Sequence, residues 1–183
     1  RFVIMKKIII GFLVILISIT FYFAYPIWIN PKSPKGEASI NKDGLNIEIK
    51  YSRPSKRDRL IFGTEDQGAL LTYGKYWRLG ANAPTIISIN KAVRFGGKEL
   101  KLGKYSMYAI PNEKFWDIRL NSKINSSGYI QPESLYDELS LSVPVYKTKR
   151  TVEQLTIGLS DQDSLVEITI EWDNNGVMIP VLD

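Results

Sequence analysis

The amino-acid sequence predicts an all-β fold, an antiparallel β-sandwich or jelly-roll-like barrel, preceded by one N-terminal transmembrane helix. Three observations support this prediction. An uncharged apolar run from Ile8 to Asn30 is long enough to cross a bilayer as a helix. Short runs in which apolar and polar residues alternate fill much of the remaining chain, as expected for half-buried strands. Clusters of Gly, Asn, Asp and Pro separate those runs and predict turns.

The N-terminal segment is predicted to be a signal anchor over residues 1–29. Lys6 and Lys7 precede the apolar run, and basic residues on the short side of a span favour the cytoplasm. Tyr22 and Trp28 lie near its far end, as interfacial aromatic residues do. The alternative is a cleaved signal peptide, but no small-residue cleavage site is evident, and the uncleaved anchor is favoured. The expected localisation is therefore a single-pass inner-membrane protein whose C-terminal domain is extracytoplasmic, in the periplasm.

A stalk and one β domain are predicted to follow the anchor. Residues 30–39 are rich in Pro, Gly, Ser and Lys and lack periodicity, which is typical of a short tether. Ten extended residues reach about 35 Å. Residues 40–183 then supply eight to ten strands, too many closely spaced turns for a helical fold, and no internal repeat.

The strands are predicted from particular runs. "LNIEIKYS" alternates between an apolar face and a polar face over residues 45–52. Gly96-Gly97 indicates a hairpin turn. Two further turns are predicted at 161–163 and at Asp173-Asn174-Asn175-Gly176, and Pro144 and Pro180 indicate strand ends or edges. Helical signal is thin: residues 132–140 are compatible with a turn or two, and residues 68–77 with another short helix.

Composition excludes several classes of function. The chain has no Cys and no His, so it has no disulfide, no zinc-finger spacing and no histidine general base. The net charge is +5, but three of the 24 basic residues precede Asn30, leaving 21 basic against 19 acidic residues. That balance does not predict a nucleic-acid partner. No cofactor and no metal site are predicted.

Two stretches are candidates for a ligand site. "YSRPSKRDRLIFG", residues 51–63, contains Arg53 and Arg57 in a basic loop that fits a small anionic ligand such as a phosphate, carboxylate or sulfate. "YGKYWRLGAN", residues 73–82, offers further polar and aromatic side chains between strands. The candidate ligand-binding residues are Arg53, Arg57, Tyr73, Trp77, Arg78 and Asn82.

Each stretch also has a structural interpretation. Charge runs are usually solvated loops. In the second stretch, an extended backbone points Trp77 and Arg78 to opposite faces, with Trp77 filling the core. Gly80 and Asn82 suit positive φ and a tight bend. The structural interpretation is favoured for both stretches; for the second, it also accounts for the glycines.

Catalysis has weaker support. Asp58, Glu65 and Asp66 flank these loops, but no spacing fixes two of them on one face. No catalytic residue is therefore assigned.

The ordered motifs "YSRPSKRDRLIFG", "YGKYWRLGAN", Thr85 and "GGKELKLGKYSMYAIP" resemble a bacterial envelope family catalogued as domain of unknown function 2911. The resemblance is close from Tyr51 to Asn121. It implies an exported, mostly β domain and no particular reaction. This chain has Thr72 where the family often has Pro, and Ala83-Pro84 where it often has an acidic residue.

The functional hypothesis is a membrane-anchored envelope module that binds a small ligand or protein partner through loops 53–59 and 73–82. The alternatives are a carboxylate-based hydrolase of envelope material and a structural subunit of an envelope complex.

Overall fold

The computed structural model describes residues 2–25, 32–125 and 127–183. The chain divides into two compact units, residues 1–34 and residues 35–183. The first contains helix α1, Phe2–Ala24. Its segment Ile4–Ala24 has 21 residues and a mean hydropathy of 2.3, so it is long and apolar enough to span a membrane. The second unit, the β domain, contains the whole hydrophobic core of buried residues, and we therefore expect it to fold without α1.

Twelve strands build the described part of the β domain. They are β1 Lys35–Lys42, β2 Leu45–Ser52, β3 Phe62–Gly63, β4 Leu71–Thr72, β5 Thr85–Ile89, β6 Val93–Phe95, β7 Lys98–Leu100, β8 Gly103–Pro111, β9 Phe115–Asn121, β10 Asp137–Pro144, β11 Tyr146–Gln162 and β12 Leu165–Leu182. A 3-10 helix, Ser134–Tyr136, precedes β10.

Two antiparallel sheets form a sandwich. One sheet has the order β1-β2-β5-β8-β9-β10 and the other β11-β12-β6-β7, while β3 and β4 make a small parallel pair. Alternation in β2 puts Leu45, Ile47 and Ile49 into the core. From the other sheet, β12 contributes Ile168 and Ile170 to the same core. The predicted all-β sandwich is therefore confirmed.

An aromatic cluster fills one end of this core. The Trp77 ring lies 5.3 Å from that of Trp116 and 6.1 Å from that of Trp172, measured between centroids. Phe62 packs edge-on against Trp77 at 5.6 Å. Large rings in edge and stacked contacts contribute both buried area and specific geometry, so this cluster fixes how the sheets meet.

Several sequence predictions are corrected by the strands. Residues 35–39, assigned to the stalk, form the first half of β1, because they pair with β2 from Lys35 opposite Ser52. Residues 30 and 31 of the stalk and residues 26–29 of the anchor lie outside the described residues. No helix forms at 68–77; that segment contains β4, a turn and an isolated bridge at Trp77.

The predicted turn at 173–176 is also wrong. Residues 165–182 form one continuous strand, and Asp173 with φ 56° lies at an irregularity where the β11–β12 register shifts. The strand continues because β12 pairs with β11 on both sides of the irregularity, whose extra residues lie in β11 between Lys147 and Thr156. By contrast, the Gly96-Gly97 turn forms as predicted. The turn predicted at 161–163 forms at 163–164, because Asp161 and Gln162 still pair with β12. Pro144 ends β10, an edge strand, and Pro180 lies beyond the last β12 residue that pairs with β11.

Candidate functional site

The sequence-predicted site residues fall into two places rather than one. Arg53 and Arg57 lie against β11. Arg78 and Asn82 lie against Gly128 and Tyr129, beside the outer face of the six-stranded sheet. Among the described residues, no hydrogen bond or ion pair joins the two groups. They are therefore described as separate sites.

Local pairing explains why Trp77 and Arg78 face opposite ways. Trp77 forms a two-way backbone bridge with Ala109 in β8, each N–H donating at 2.8 Å to the other's carbonyl. Ala109 points into the core, and so does Trp77, which is 3% exposed. The next side chain, Arg78, therefore points to the outer face beside Tyr108. Trp77 is placed in the core and away from any ligand surface.

The bend after Arg78 depends on space more than on glycine's dihedral freedom. Leu79 and Asn82 have positive φ, 52° and 61°, whereas Gly80 does not. A Cβ on Gly80 would sit 3.0 Å from the carbonyl oxygen of Ser52 and 3.2 Å from the hydroxyl of Thr85. The predicted positive φ at Gly80 is therefore wrong, while that at Asn82 is confirmed. Gly80 is needed because the bend packs directly on the end of β2.

Arg78 is held by stacking. Its guanidinium carbon lies 3.9 Å from the centroid of the Tyr129 ring, within the range of a cation–π contact. One N–H also donates to the Asn82 carbonyl at 3.4 Å. Gly128 joins the same place, because its N–H donates to Asn82 O at 3.0 Å and its carbonyl accepts from the Tyr76 hydroxyl at 3.0 Å.

A buried polar network lies on the same outer face. The carboxylate of Asp137 accepts hydrogen bonds from the Tyr108 hydroxyl at 2.9 Å, Arg119 Nη1 at 3.0 Å and Asn121 Nδ2 at 2.8 Å. Burial, and then the hydrogen bond to Asp137, raise the pKa of Tyr108 to about 12. The phenol therefore stays protonated, and the network holds β8, β9 and the start of β10 together.

Tyr73 contributes to packing. Its ring packs, half-buried, against the core, and its N–H donates to the Gly63 carbonyl at 2.9 Å. Burial, and then the nearby Glu113 charge, raise the pKa of Tyr73.

The second place is a basic cleft, which we define as the concavity lined by Arg53, Thr156, Glu171 and residues 146–154. Its volume is about 670 Å³, which falls within the range of about 300–1,000 Å³ typical of small-molecule sites. Arg53 enters it from the end of β2, where its Nε donates to Leu155 O and Nη2 to the Thr156 hydroxyl, both at 3.3 Å. The β11–β12 register shifts on both sides of Val152, so β11 bulges where it lines the cleft.

Charge in the basic cleft is unbalanced. Its four cations are Arg53, Lys147, Lys149 and Arg150, and its two carboxylates are Glu153 and Glu171. None of these four cations forms an ion pair within the described residues, where six other pairs occur.

Both carboxylates of the cleft already have protein partners. Glu171 accepts from the Tyr146 hydroxyl at 2.8 Å, and Glu153 accepts from the backbone N–H of Arg57 at 3.0 Å. Burial, followed by the bond to Glu171, raises the pKa of Tyr146. The two carboxylates keep their charges, so four cations against two carboxylates leave the lining with a net charge of +2. Arg53 and Lys147 already donate to protein groups, Lys147 to Asn175 Oδ1 at 2.7 Å, whereas the side chains of Lys149 and Arg150 have no hydrogen bond within the described residues.

Within the predicted basic loop, the cations have different roles. Lys56 pairs with Asp173 at 3.3 Å, and Arg59 Nε donates to Lys56 O at 2.9 Å, so both hold the loop. Arg57 has φ 51° and an exposed side chain beside the cleft. The carboxylates considered for catalysis are exposed and lie in separate turns, Asp58 at 56–59 and Glu65 with Asp66 at 64–68. Among residues 2–25, 32–125 and 127–183, no group of carboxylates could hold a metal ion.

Sequence reasoning missed the residues that complete both places. "YKTKR", residues 146–150, supplies most of the cleft's cations, and its only sequence signal was a short charge run next to a strand. Gly128 and Tyr129 lie in an irregular segment without a motif. Their proximity to Arg78 arises from tertiary contacts between distant parts of the chain.

The fold and the site define a class: a β-sandwich domain with a basic cleft, in a chain that begins with an apolar helix of membrane-spanning length. The model of the family described as protein of unknown function (DUF2911) matches residues 33–181, and the chain belongs to that family. The resemblance seen in residues 51–121 is confirmed, and the match extends over residues 33–181. No curated protein and no solved structure matches the chain.

Proposed function

We propose that this protein is a membrane-anchored module of the cell envelope whose β domain binds a small anionic ligand in the basic cleft. The observation that carries the proposal is the charge of the cleft: four cations without an ion pair face a concavity whose two carboxylates are already hydrogen-bonded. The apolar helix α1, with Lys6 and Lys7 near its start, supports anchoring with the β domain on the extracytoplasmic side.

The cleft indicates what the ligand carries. Arg53 is held in place by Leu155 O and the Thr156 hydroxyl, and its planar guanidinium suits a carboxylate, phosphate or sulfate. Lys149 and Arg150 have exposed side chains without a hydrogen bond to the described residues, so they can move onto the anion. Hydroxyl and amide groups of Thr148, Thr151 and Gln154 complete the lining. An anionic group attached to a polar body fits this lining better than an apolar ligand.

The test is a titration of residues 33–183 with inorganic phosphate and with citrate, followed by backbone amide NMR. We expect chemical-shift changes at residues 146–156. The double variant Lys149→Gln/Arg150→Gln is expected to weaken binding about tenfold or more, because each charge-assisted hydrogen bond contributes about 1.5–3 kcal/mol. The double variant is expected to fold as the wild type does, since neither side chain forms a hydrogen bond or ion pair with the described residues.

The control variant removes the same charge elsewhere. Lys75 and Lys104 are exposed and lie outside the cleft, so Lys75→Gln/Lys104→Gln is expected to change affinity less than twofold. Equal weakening by the two double variants would show that the anion responds only to net charge, and the proposal would be wrong. Shift changes confined to residues outside 146–156 would also refute it.

A further inference from the structure

Exposed apolar side chains are concentrated in one irregular segment of the β domain. Of the eleven large hydrophobic side chains that are exposed in the described part of residues 35–183, five lie between 124 and 136. They are Ile124, Tyr129, Ile130, Leu135 and Tyr136, and we call them the apolar loop patch. Leu135 is 84% exposed and Tyr129 71%. Five exposed apolar side chains within thirteen residues of the chain are more than the single, scattered exposures of an ordinary protein surface, and they single this segment out as a place for an interaction.

Cations accompany the aromatic rings of this patch. Arg78 stacks on Tyr129 at 3.9 Å, and Lys123 Nζ lies 4.9 Å from the Tyr136 ring centroid. These are the two cation–π contacts found in the described part of the β domain. Lys123 also pairs with Glu133 at 2.6 Å, so Arg78 supplies the excess positive charge.

We propose that the apolar loop patch docks on a lipid surface. Aromatic rings with an adjacent cation suit the headgroup region, where the ring has an apolar environment and the cation meets a lipid phosphate. Apart from the short 3-10 helix, the patch lies on irregular loop, so its aliphatic side chains are placed to enter the acyl boundary singly. The proximity of lipid rests on the anchoring proposed above: with α1 in a bilayer, lipid would lie within reach of the β domain, because α1 ends at Ala24 and β1 begins at Lys35. The ten residues between them extend about 35 Å at most.

The experiment is vesicle co-flotation of residues 33–183, which lack α1. Phosphatidylcholine vesicles are compared with vesicles that also contain phosphatidylglycerol. We expect binding to both, about fivefold tighter with the anionic lipid because one net cation faces the headgroups. Ile130→Ser/Leu135→Ser is expected to weaken binding at least about tenfold to both kinds of vesicle, because both side chains lose their apolar contact.

Matched variants separate the patch from general stickiness and from the basic cleft. Leu102→Ser/Met178→Ser removes two apolar side chains elsewhere, 63% and 47% exposed, and is expected to leave binding unchanged. Lys149→Gln/Arg150→Gln is also expected to float as the wild type does, which keeps this proposal independent of anion binding in the cleft.

Three outcomes would overturn the proposal. The first is a wild-type β domain that floats with neither kind of vesicle. The second is equal loss of binding in the patch variant and in either matched variant. The third is a dimer of the wild-type domain that Ile130→Ser/Leu135→Ser dissociates, which would show that a second copy of the chain covers the patch.

Discussion

Replacing Asp137 with Asn tests whether the outer-face network holds the sheet. The Asp137 side chain is only 8% exposed and accepts from Tyr108, Arg119 and Asn121. An amide of the same shape has one oxygen and one NH₂. In either orientation the NH₂ faces a donor, because one carboxylate oxygen meets Arg119 and the other meets Asn121.

The expected loss in the free energy of unfolding is about 3–4 kcal/mol. Removing the charged partner of a buried pair costs about 3–5 kcal/mol, and Arg119, with 28% of its side chain exposed, recovers part of that in water. For a domain of this size the loss corresponds to a fall in Tm of about 10 °C. Urea denaturation of residues 33–183 measures it, with the fluorescence of the buried Trp77, Trp116 and Trp172 as the signal.

The control is Glu133→Gln, at an ion pair of comparable length. Lys123 and Glu133 are 2.6 Å apart, but their side chains are 48% and 64% exposed. We expect a loss below about 1 kcal/mol, since water screens such a pair. If Asp137→Asn costs no more than Glu133→Gln, the buried carboxylate does not stabilise the sheet and the reasoning is refuted.

Three further predictions concern the same face. Gly128→Ala is expected to displace Tyr129 from Arg78 and to lower Tm, because a Cβ at position 128 would lie 2.7 Å from the Asn82 carbonyl oxygen. The measurement is the chemical-shift change that the Tyr129 ring causes in the Arg78 side-chain signals, which the variant should lose. Gly80→Ala is expected to cost about 1–3 kcal/mol in urea denaturation, since its Cβ would lie 3.0 Å from a Ser52 backbone oxygen; an unchanged midpoint would contradict this. The raised pKa of Tyr108, about 12 against an ordinary value near 10, means that the folded state keeps this proton longer than the unfolded state. Stability should therefore fall by up to about 2 kcal/mol between pH 10 and pH 12, and Tyr108→Phe should remove that part of the fall.

Local patterns predicted the elements whose cause is local. Strict alternation in residues 45–52 forms β2, and Gly96-Gly97, with φ 56° and 83°, forms the predicted hairpin turn. The turn predicted at Asp173-Asn174-Asn175-Gly176 does not form, because the structure of these residues depends on pairing with the neighbouring strand. Pairing with β11 continues on both sides of these residues, so they stay within β12, and the extra residues of the irregularity lie in β11. Likewise, pairing of Trp77 with Ala109 replaced the predicted helix at 68–77.

The features of the candidate site that have a local cause were predicted, and those that depend on distant contacts were not. Opposite faces for Trp77 and Arg78 follow from an extended backbone, and the structure has them. The basic cleft depends on a contact between residues about 100 positions apart, as when Arg53 donates to Leu155. No pattern within residues 51–63 contains that information.

The position of β1 determines how the β domain would respond to a force applied through the segment that precedes it. Such a force would enter at Lys35, the first residue of an edge strand that, among the described strands of its sheet, pairs with β2 alone. The β1–β2 ladder therefore bears the load before any core strand does. At the other end of β1, Lys42 bonds to Asp161 and to the carbonyls of Asp163 and Leu165 in the β11–β12 hairpin. Peeling that starts at Lys35 would therefore reach the bonds of Lys42 last, after the β1–β2 pairs from Lys35 opposite Ser52 onward have opened.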